Sequence, residues 1–201
     1  AVLSRLLSGE PDRPLLEWMR VSRFPLGLGL SLRGDQSHHA AINLSQAVAS
    51  LPLVGAHEGR EMLAMDYASI FASHHQPDLA TESHWLPQSE PRRPLVESWY
   101  ERHGFTVCDR LNRPADTLAF QLGFLAHLLD DSSRGDEQVF DDCSTFLQDH
   151  LLTWVPGFTQ HMATECKTEF YRGVALFVSA YVLSLDGALS QAGDDILSVP
   201  A

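Results

Sequence analysis

Histidine and acidic side chains are the groups in this sequence with the most chemistry available to them. The chain has ten histidines and 26 acidic residues. His57-Glu58 begins like an HExxH zinc motif, but Glu61 stands where the motif needs its second histidine. No His-Asp pair, phosphate-binding GxxxxGK[ST] loop or GxSxG motif occurs anywhere in the sequence. We therefore predict a binding protein with no catalytic residues, no metal site and no resident cofactor.

Paired aspartates leave one enzymatic alternative open. Asp130-Asp131 and Asp141-Asp142 each resemble the start of the DDxxD motif that holds magnesium and a diphosphate in all-α isoprenoid enzymes. Neither pair is followed by the third carboxylate of that motif. The alternative hypothesis is an all-α metal-dependent hydrolase or isoprenoid-type lyase that uses Asp130, Asp131 and Asp141.

The charge of the chain limits its partners. The formal net charge is −12, and it is unevenly distributed. The first 35 residues hold five arginines and four acidic residues, whereas residues 130–150 hold seven acidic residues and one arginine. An acidic surface repels phosphate, so we exclude nucleic acid as a general partner. A basic partner, or a simply solvated acidic face, agrees with the composition.

Cysteine usage and hydropathy indicate the compartment. Cys108, Cys143 and Cys166 are odd in number and form no CxxC pair, which is typical of reduced thiols in or near a core. The longest strongly apolar run, residues 174–183, is about half of what a membrane span needs. The first residues lack the features of a secretory signal. We expect a cytoplasmic protein without stable membrane insertion.

Helical periodicity of apolar residues is the dominant pattern in the sequence, and the predicted helices position the histidine and acidic side chains. Apolar residues repeat at steps of three and four along two stretches, at Leu118, Leu122, Leu125 and Leu129, and at Phe170, Val174, Phe177, Tyr181 and Leu185. Shorter apolar sets occur at Leu15, Trp18 and Met19, and at Met62, Met65, Tyr67, Ile70 and Phe71. Such spacing places each set on one helix face. No segment predicts a strand, so we expect an all-α bundle of about eight to ten helices.

A boundary is predicted between Asn112 and Thr117. Pro114 suits the first position of a helix, where its missing N–H has no partner to lose. Asp116 would then lie in the first turn, where a carboxylate favours the positive end of the helix dipole. We expect two closely packed helical subdomains, residues 1–112 and 113–201, joined by a hinge.

Six segments, in order along the chain, carry a resemblance to a known family. They read AMDYASIF (64–71), SHWL (83–86), ESWYERHGF (97–105), RPADTL (113–118), LLTWVPGF (151–158) and FY (170–171). Together they resemble the TorD/DmsD/NarJ family of molybdoenzyme chaperones, and most closely its TorD branch. The resemblance extends over residues 1–190. Two positions depart from the family pattern, because Arg113 replaces a glutamate and Thr117 replaces a histidine.

The resemblance implies a cytoplasmic chaperone for a reductase of the dimethyl-sulfoxide-reductase type, with trimethylamine-N-oxide reductase the favoured client. Such proteins bind the twin-arginine signal peptide and the body of the apo-molybdoenzyme, delay export and assist molybdenum-cofactor insertion. Some members bind GTP weakly, and some form domain-swapped dimers, so the chain is expected to be a monomer or such a homodimer. Residues at the matching motif positions are the expected binding site: Asp66, Phe71, Trp85, Leu86, Pro114, Asp116 and Thr117.

The chemistry of a twin-arginine signal agrees with that set of residues. The signal has a basic start and an apolar middle, so its receptor needs carboxylates beside an exposed apolar groove. Asp66 and Asp116 would supply the charge, and Phe71, Trp85 and Leu86 the apolar surface. This arrangement requires the loop that contains Trp85 to lie beside the hinge.

Overall fold

The fold is a bundle of α-helices, seen in a computed structural model that describes residues 1–30, 32, 34–51, 57–72, 78–86, 91–107, 113–132 and 137–197. These ranges contain ten α-helices and no strand, which confirms the predicted all-α class. The helices are α1 (Val2–Ser8), α2 (Arg13–Val21), α3 (Asp35–Ser50), α4 (His57–Phe71), α5 (Glu82–Trp85), α6 (Arg92–Arg102), α7 (Leu118–Ser132), α8 (Glu137–Phe146), α9 (Val155–Glu165) and α10 (Glu169–Leu197).

Helix α10 is the longest element and lies against α3 and α9. Its predicted stripe is present: Phe170, Val174 and Phe177 are buried, while Tyr181 and Leu185 are half-buried against the core. Residues 169–192 are long and apolar enough to cross a membrane, and 44% of that window is buried inside the protein. The same length and composition are found in the core helix of a soluble bundle, which agrees with the packing of α10 on two neighbours.

Helices α3 and α10 approach each other closely where they cross. A Cβ atom on Gly173 would stand only 3.1 Å from the Cα atom of Leu44, so glycine is what allows the two backbones to approach. Leu44 is fully buried at this crossing. The contact joins the first quarter of the chain to the last helix.

One hydrophobic core includes residues from both sides of the predicted boundary. Helix α1 packs on α7, and α3 packs on α10. The boundary adjoins residues 108–112, which lie outside the described part of the chain together with Cys108. The division into subdomains 1–112 and 113–201 therefore stays a prediction.

Two details of the predicted helices were wrong. In α4 the buried face is formed by Leu63, Tyr67 and Ile70, whereas Met62 and Met65 are 48% and 58% exposed. The two methionines lie one position off that stripe and point to solvent. Helix α7 begins at Leu118 and not at Pro114, because the N–H and hydroxyl of Thr117 both donate to the carbonyl of Pro114 and close a turn there.

The α3–α10 contact gives a stability prediction. Gly173→Val should lower the free energy of unfolding by about 1–3 kcal/mol, because the added atoms overlap the backbone at Leu44. Ser190→Val places the same residue type on an exposed position of α10 and should lower the free energy of unfolding by only about a few tenths of a kcal/mol. Urea denaturation followed by circular dichroism measures both. Equal losses in the two variants would contradict the close contact.

Buried thiols give a second prediction. Burial raises the pKa of Cys143 and of Cys166 from 9.0 to about 12. In a Cys108→Ser background, a disulfide reagent at pH 8 should react with the folded protein about a thousandfold more slowly than with the urea-unfolded chain, because so little thiolate is present. The rate for the folded protein should rise as pH increases toward 12. Equal rates for the folded and unfolded chains at pH 8 would show that the thiols are accessible.

Candidate functional site

The short helix α5 lies beside the predicted hinge. Thr81 and Thr117 form an isolated antiparallel bridge. Next to this bridge, the N–H of Glu82 donates to the carbonyl of Asp116 at 3.0 Å. The N–H of Leu118 donates to the carbonyl of Ala80 at 2.9 Å. The loop that contains Trp85 is therefore adjacent to residues 114–118, as the peptide-receptor hypothesis required.

Asp116 holds the beginning of α5. Its carboxylate is fully buried; Oδ2 accepts from the N–H of Ser83 at 2.9 Å, and Oδ1 accepts from Nε of Arg93 at 3.0 Å. A carboxylate at this position satisfies an exposed N–H and favours the positive end of the helix. The sequence predicted that Asp116 would stabilise the first turn of the helix that follows it. This prediction was wrong, because Asp116 accepts a hydrogen bond from the beginning of α5. Its side chain can influence a ligand only through α5 and Arg93.

Glu82 carries the second buried carboxylate of α5. Oε2 accepts from Nε2 of Gln121 at 2.6 Å and lies 3.0 Å from Nδ1 of His150, while Nη1 of Arg92 is 3.8 Å from Oε1. The indole Nε1 of Trp154 donates to Oε1 of Gln121 at 3.2 Å. We call these five residues the Glu82 network. It ties α5 to α6, α7 and the segment after α8.

A π-helical segment places His150 in the Glu82 network. Residues Leu147–Leu151 form a π-helical segment, in which the N–H of Leu152 donates to the carbonyl of Leu147 at 2.9 Å. Such one-turn insertions change which side chains face the core. His150 is 4% exposed and its ring stacks on Phe146 with centroids 4.9 Å apart.

The aromatic cluster consists of Phe71, Trp85, Phe158 and His161. Phe158 is fully buried and lies between the half-buried rings of Phe71 and Trp85, at centroid distances of 6.1 and 6.2 Å. The ring of His161 is 5.9 Å from that of Trp85. The indole Nε1 of Trp85 donates to the carbonyl of Leu79 at 2.7 Å, which fixes the ring over α9. Leu86, half-buried, extends this apolar surface.

Asp66 is buried on the other side of the cluster. Oδ1 accepts from the N–H of Lys167 at 3.0 Å, and Oδ2 accepts from the N–H and hydroxyl of Thr168 at 2.8 and 2.6 Å. These bonds fasten α4 to the start of α10. Burial, reinforced by the Asp66 carboxylate, raises the pKa of the neighbouring Cys166. Asp66 is 2% exposed, so it stabilises the site from within the core and does not face solvent.

A half-exposed ion pair borders the cluster at the surface. Arg93 bridges buried Asp116 and Asp78, whose Oδ1 lies 3.1 Å from Nη2 of Arg93. The side chains of Arg93 and Asp78 are 43% and 48% exposed, so this pair meets solvent. None of Asp78, Arg93, Glu82, Gln121 and His150 was among the site residues expected from the sequence. Their partners lie far along the chain, so no local pattern identifies them.

The remaining predicted residues line the base of the site. Pro114 is half-buried, and Thr117, 8% exposed, uses its hydroxyl within its own turn. Arg113 lies beside Tyr67; burial raises the pKa of that phenol, and the guanidinium opposes the rise. The structure thus brings Phe71 and Trp85 together through Phe158, and places Asp116 and Thr117 directly under α5.

The aspartates of the enzymatic alternative lie elsewhere, on α7 and α8. Asp131 pairs with His127 at 3.5 Å, and Asp130 and Asp141 are exposed. Across the ranges that the structure describes, no group of three His, Cys, Asp or Glu side chains has a geometry that could hold a metal ion.

A nucleotide triphosphate does not fit a groove that holds two arginines between α2 and α4. This groove contains Arg13 and Arg60, but Glu10, Asp12 and Glu61 line it as well. Three carboxylates beside two guanidinium groups would repel a triphosphate chain.

Comparison with known proteins identifies the class and then the family of this all-helical protein. Residues 36–160 match the family model described as nitrate reductase delta subunit, which is more than half of the chain. The chain therefore belongs to the nitrate reductase delta subunit family. The match confirms the resemblance to the TorD/DmsD/NarJ family that the six motifs indicated.

Individual relatives have the name Chaperone protein TorD. The chain is 31% identical over 125 residues to that of Vibrio vulnificus strain YJ016, covering 60% of this chain and 54% of the relative. It is 33% identical over 124 residues to that of Vibrio cholerae serotype O1 strain O395, covering 59% and 51%. The chain thus spans about half the length of the curated relatives it matches.

The Glu82 network gives a prediction for the site. Glu82→Ala should lower the free energy of unfolding by about 3–5 kcal/mol, because it leaves His150 and Gln121 buried without their shared acceptor. Glu101→Ala removes an exposed carboxylate from α6 and should change stability by less than about 0.5 kcal/mol. Chemical denaturation measures both. A cost for Glu82→Ala as small as that of the control would contradict the network.

Proposed function

We propose that this protein is a cytoplasmic chaperone of a molybdoenzyme reductase of the dimethyl-sulfoxide-reductase type. It binds the twin-arginine signal peptide and the apo form of its client, delays export and assists insertion of the molybdenum cofactor. A trimethylamine-N-oxide reductase is the client we favour. Membership of the family and the name Chaperone protein TorD among the relatives support this function and favour a protein that is not an enzyme.

One observation in the structure carries the proposal: the aromatic cluster lies beside a half-exposed carboxylate. Trp85, Leu86 and Phe71 offer a partly exposed apolar surface, and Asp78 directly precedes Leu79, whose carbonyl accepts from the indole of Trp85. A signal peptide places arginines next to an apolar stretch. Its apolar stretch would lie on the cluster while an arginine binds Asp78 with a charge-assisted hydrogen bond.

The contact with Arg93 indicates that Asp78 can bind a guanidinium group. In the free protein Arg93 already pairs with Asp78, so Asp78 accepts an arginine in the geometry that a peptide arginine would use. A peptide arginine would replace Arg93 on Asp78, and Arg93 would keep its second bond, to Asp116. This exchange preserves the number of ion pairs and limits the cost of desolvation.

Asp66 and Asp116 contribute to this function as positioning residues. Both carboxylates are buried and accept hydrogen bonds from backbone N–H groups, Asp116 at the start of α5 and Asp66 at the start of α10. Pro114 and Thr117 close the turn that brings Asp116 under α5. These four residues therefore fix the height and angle at which Trp85 meets a peptide.

Calorimetric titration with a twin-arginine signal peptide tests the function. We expect saturable binding, reduced about tenfold or more by Trp85→Ala, because buried aromatic contacts dominate such interfaces. Leu95→Ala removes an exposed leucine from α6 and should leave affinity unchanged. A folded chain that binds no twin-arginine peptide from the molybdoenzymes of its source would overturn the proposal.

The same titration separates the role of Asp78 from that of Asp116. Asp78→Asn should weaken binding and flatten its dependence on salt, because it removes the charge that meets the peptide arginine. Asp116→Ala should weaken binding while the helical circular dichroism is retained. If Asp116→Ala leaves affinity unchanged, its role is limited to the local structure of α5.

A further inference from the structure

The outward face of α10 carries a stripe that the proposed function does not use. Its members recur at steps of four and three residues, which places them on one helix face: Arg172, Leu176, Ser179, Leu183 and Asp186. Leu176 and Leu183 are 43% and 53% exposed, and the other three are half-buried. The two exposed leucines lie one heptad apart and form a small apolar patch on a helix whose opposite face is in the core.

A groove runs along the α10 stripe where α10 meets α3. It has a volume of about 390 Å³ and is lined by Leu176, Ser179 and Leu183 from α10, and by Ala40 and Asn43 from α3. The small side chains of Ala40 and Ser179 leave room for a bulky residue from outside. A leucine side chain from a second helix would fit between the two helices.

The order of residues in the α10 stripe is symmetric about Ser179. Leucine precedes and follows it, and beyond the leucines stand one positive and one negative charge, Arg172 and Asp186. If a second α10 crosses antiparallel at Ser179, Leu176 meets Leu183 of the second copy, and Arg172 meets its Asp186. A parallel crossing would place arginine on arginine. The stripe is therefore self-complementary in the antiparallel direction alone.

We propose that the α10 stripe is a two-fold interface between two copies of this chain. The leucines of each copy enter the groove of the other, and Ser179, small and uncharged, lies at the crossing, where it permits close approach. At each end of the interface, Arg172 of one copy forms an ion pair with Asp186 of the other. This interface leaves both halves of each chain in place, unlike the exchange of subdomains that the family resemblance implies.

The charged ends of the stripe are already held in position. Arg172 pairs with Glu169 and donates through Nη2 to the carbonyl of Cys166 at 3.3 Å. Asp186 accepts from Nε2 of Gln148 at 3.0 Å. A guanidinium group has five N–H donors and a carboxylate about four acceptor sites, so each can bind a further partner. Little side-chain freedom is lost when the two copies meet.

The size of the stripe predicts a dimer that dissociates on dilution. From Arg172 to Asp186 the helix rises about 21 Å, which is a short contact for a permanent interface. Sedimentation velocity of the full chain from about 1 to 200 µM should therefore show a monomer–dimer equilibrium in the micromolar range. Leu183→Glu should abolish the dimer, whereas Leu95→Glu, which changes an exposed leucine on α6, should retain it.

Exchange of charges tests the antiparallel arrangement. Arg172→Glu and Asp186→Lys each place two like-charge contacts in a dimer of one variant, so each alone should be monomeric. Mixed in equal amounts, they should form a heterodimer, because the introduced glutamate then faces the introduced lysine, and the unmodified Arg172 faces the unmodified Asp186. Circular dichroism of each variant establishes that it is folded. If Arg172→Glu does not fold, Leu183→Glu and Asp186→Lys decide the matter.

Three outcomes would overturn the interface. The first is a monomer up to about 200 µM. The second is a dimer that survives Leu183→Glu, which an exchange of subdomains would produce. The third is two folded single variants that remain monomeric when mixed. None depends on peptide binding, so calorimetric titration of Leu183→Glu with the signal peptide should give the unmodified affinity.

Discussion

A helix of four residues has no stability of its own in water, and α5 exists only because its carboxylates and N–H groups are held from outside. Glu82 is the centre of that support, since its buried carboxylate receives Gln121, His150 and Arg92 from three other parts of the bundle. Asp116 supplies the remaining support at the N–H of Ser83. Trp85, at the end of α5, is therefore positioned by side chains from other parts of the bundle.

Two buried carboxylates serve the same purpose at the two ends of the site. Asp116 fixes α5, and Asp66 fixes the junction of α9 and α10 through Lys167 and Thr168. Each exchanges hydration for several short hydrogen bonds, which is what permits an acidic group inside an apolar bundle. The site is consequently an aromatic surface on buried acidic anchors, and the pair Asp78 and Arg93 presents charge to solvent beside it.

Periodicity predicted the parts of the fold whose burial repeats along the chain. The stripes in α7 and α10 were correct because steps of three and four residues determine one helix face. Where burial depends on a distant partner, the sequence was insufficient: Met62 and Leu63 are adjacent apolar residues, and packing leaves the first 48% exposed and the second buried. The motifs included Trp85 and Asp116 among the expected binding residues, and the structure shows that the carboxylate of Asp116 is buried. Its contact with Ser83 spans 33 residues, and no local pattern contains it.

The bond between His150 and Glu82 spans 68 residues, and the bond between Gln121 and Glu82 spans 39. During synthesis the motif that contains Trp85 leaves the ribosome well before either partner does. The surface that contains Trp85 is thus completed only after His150 has been synthesised. The sequence separation between Glu82 and its partners therefore sets the point in synthesis at which α5 can become ordered.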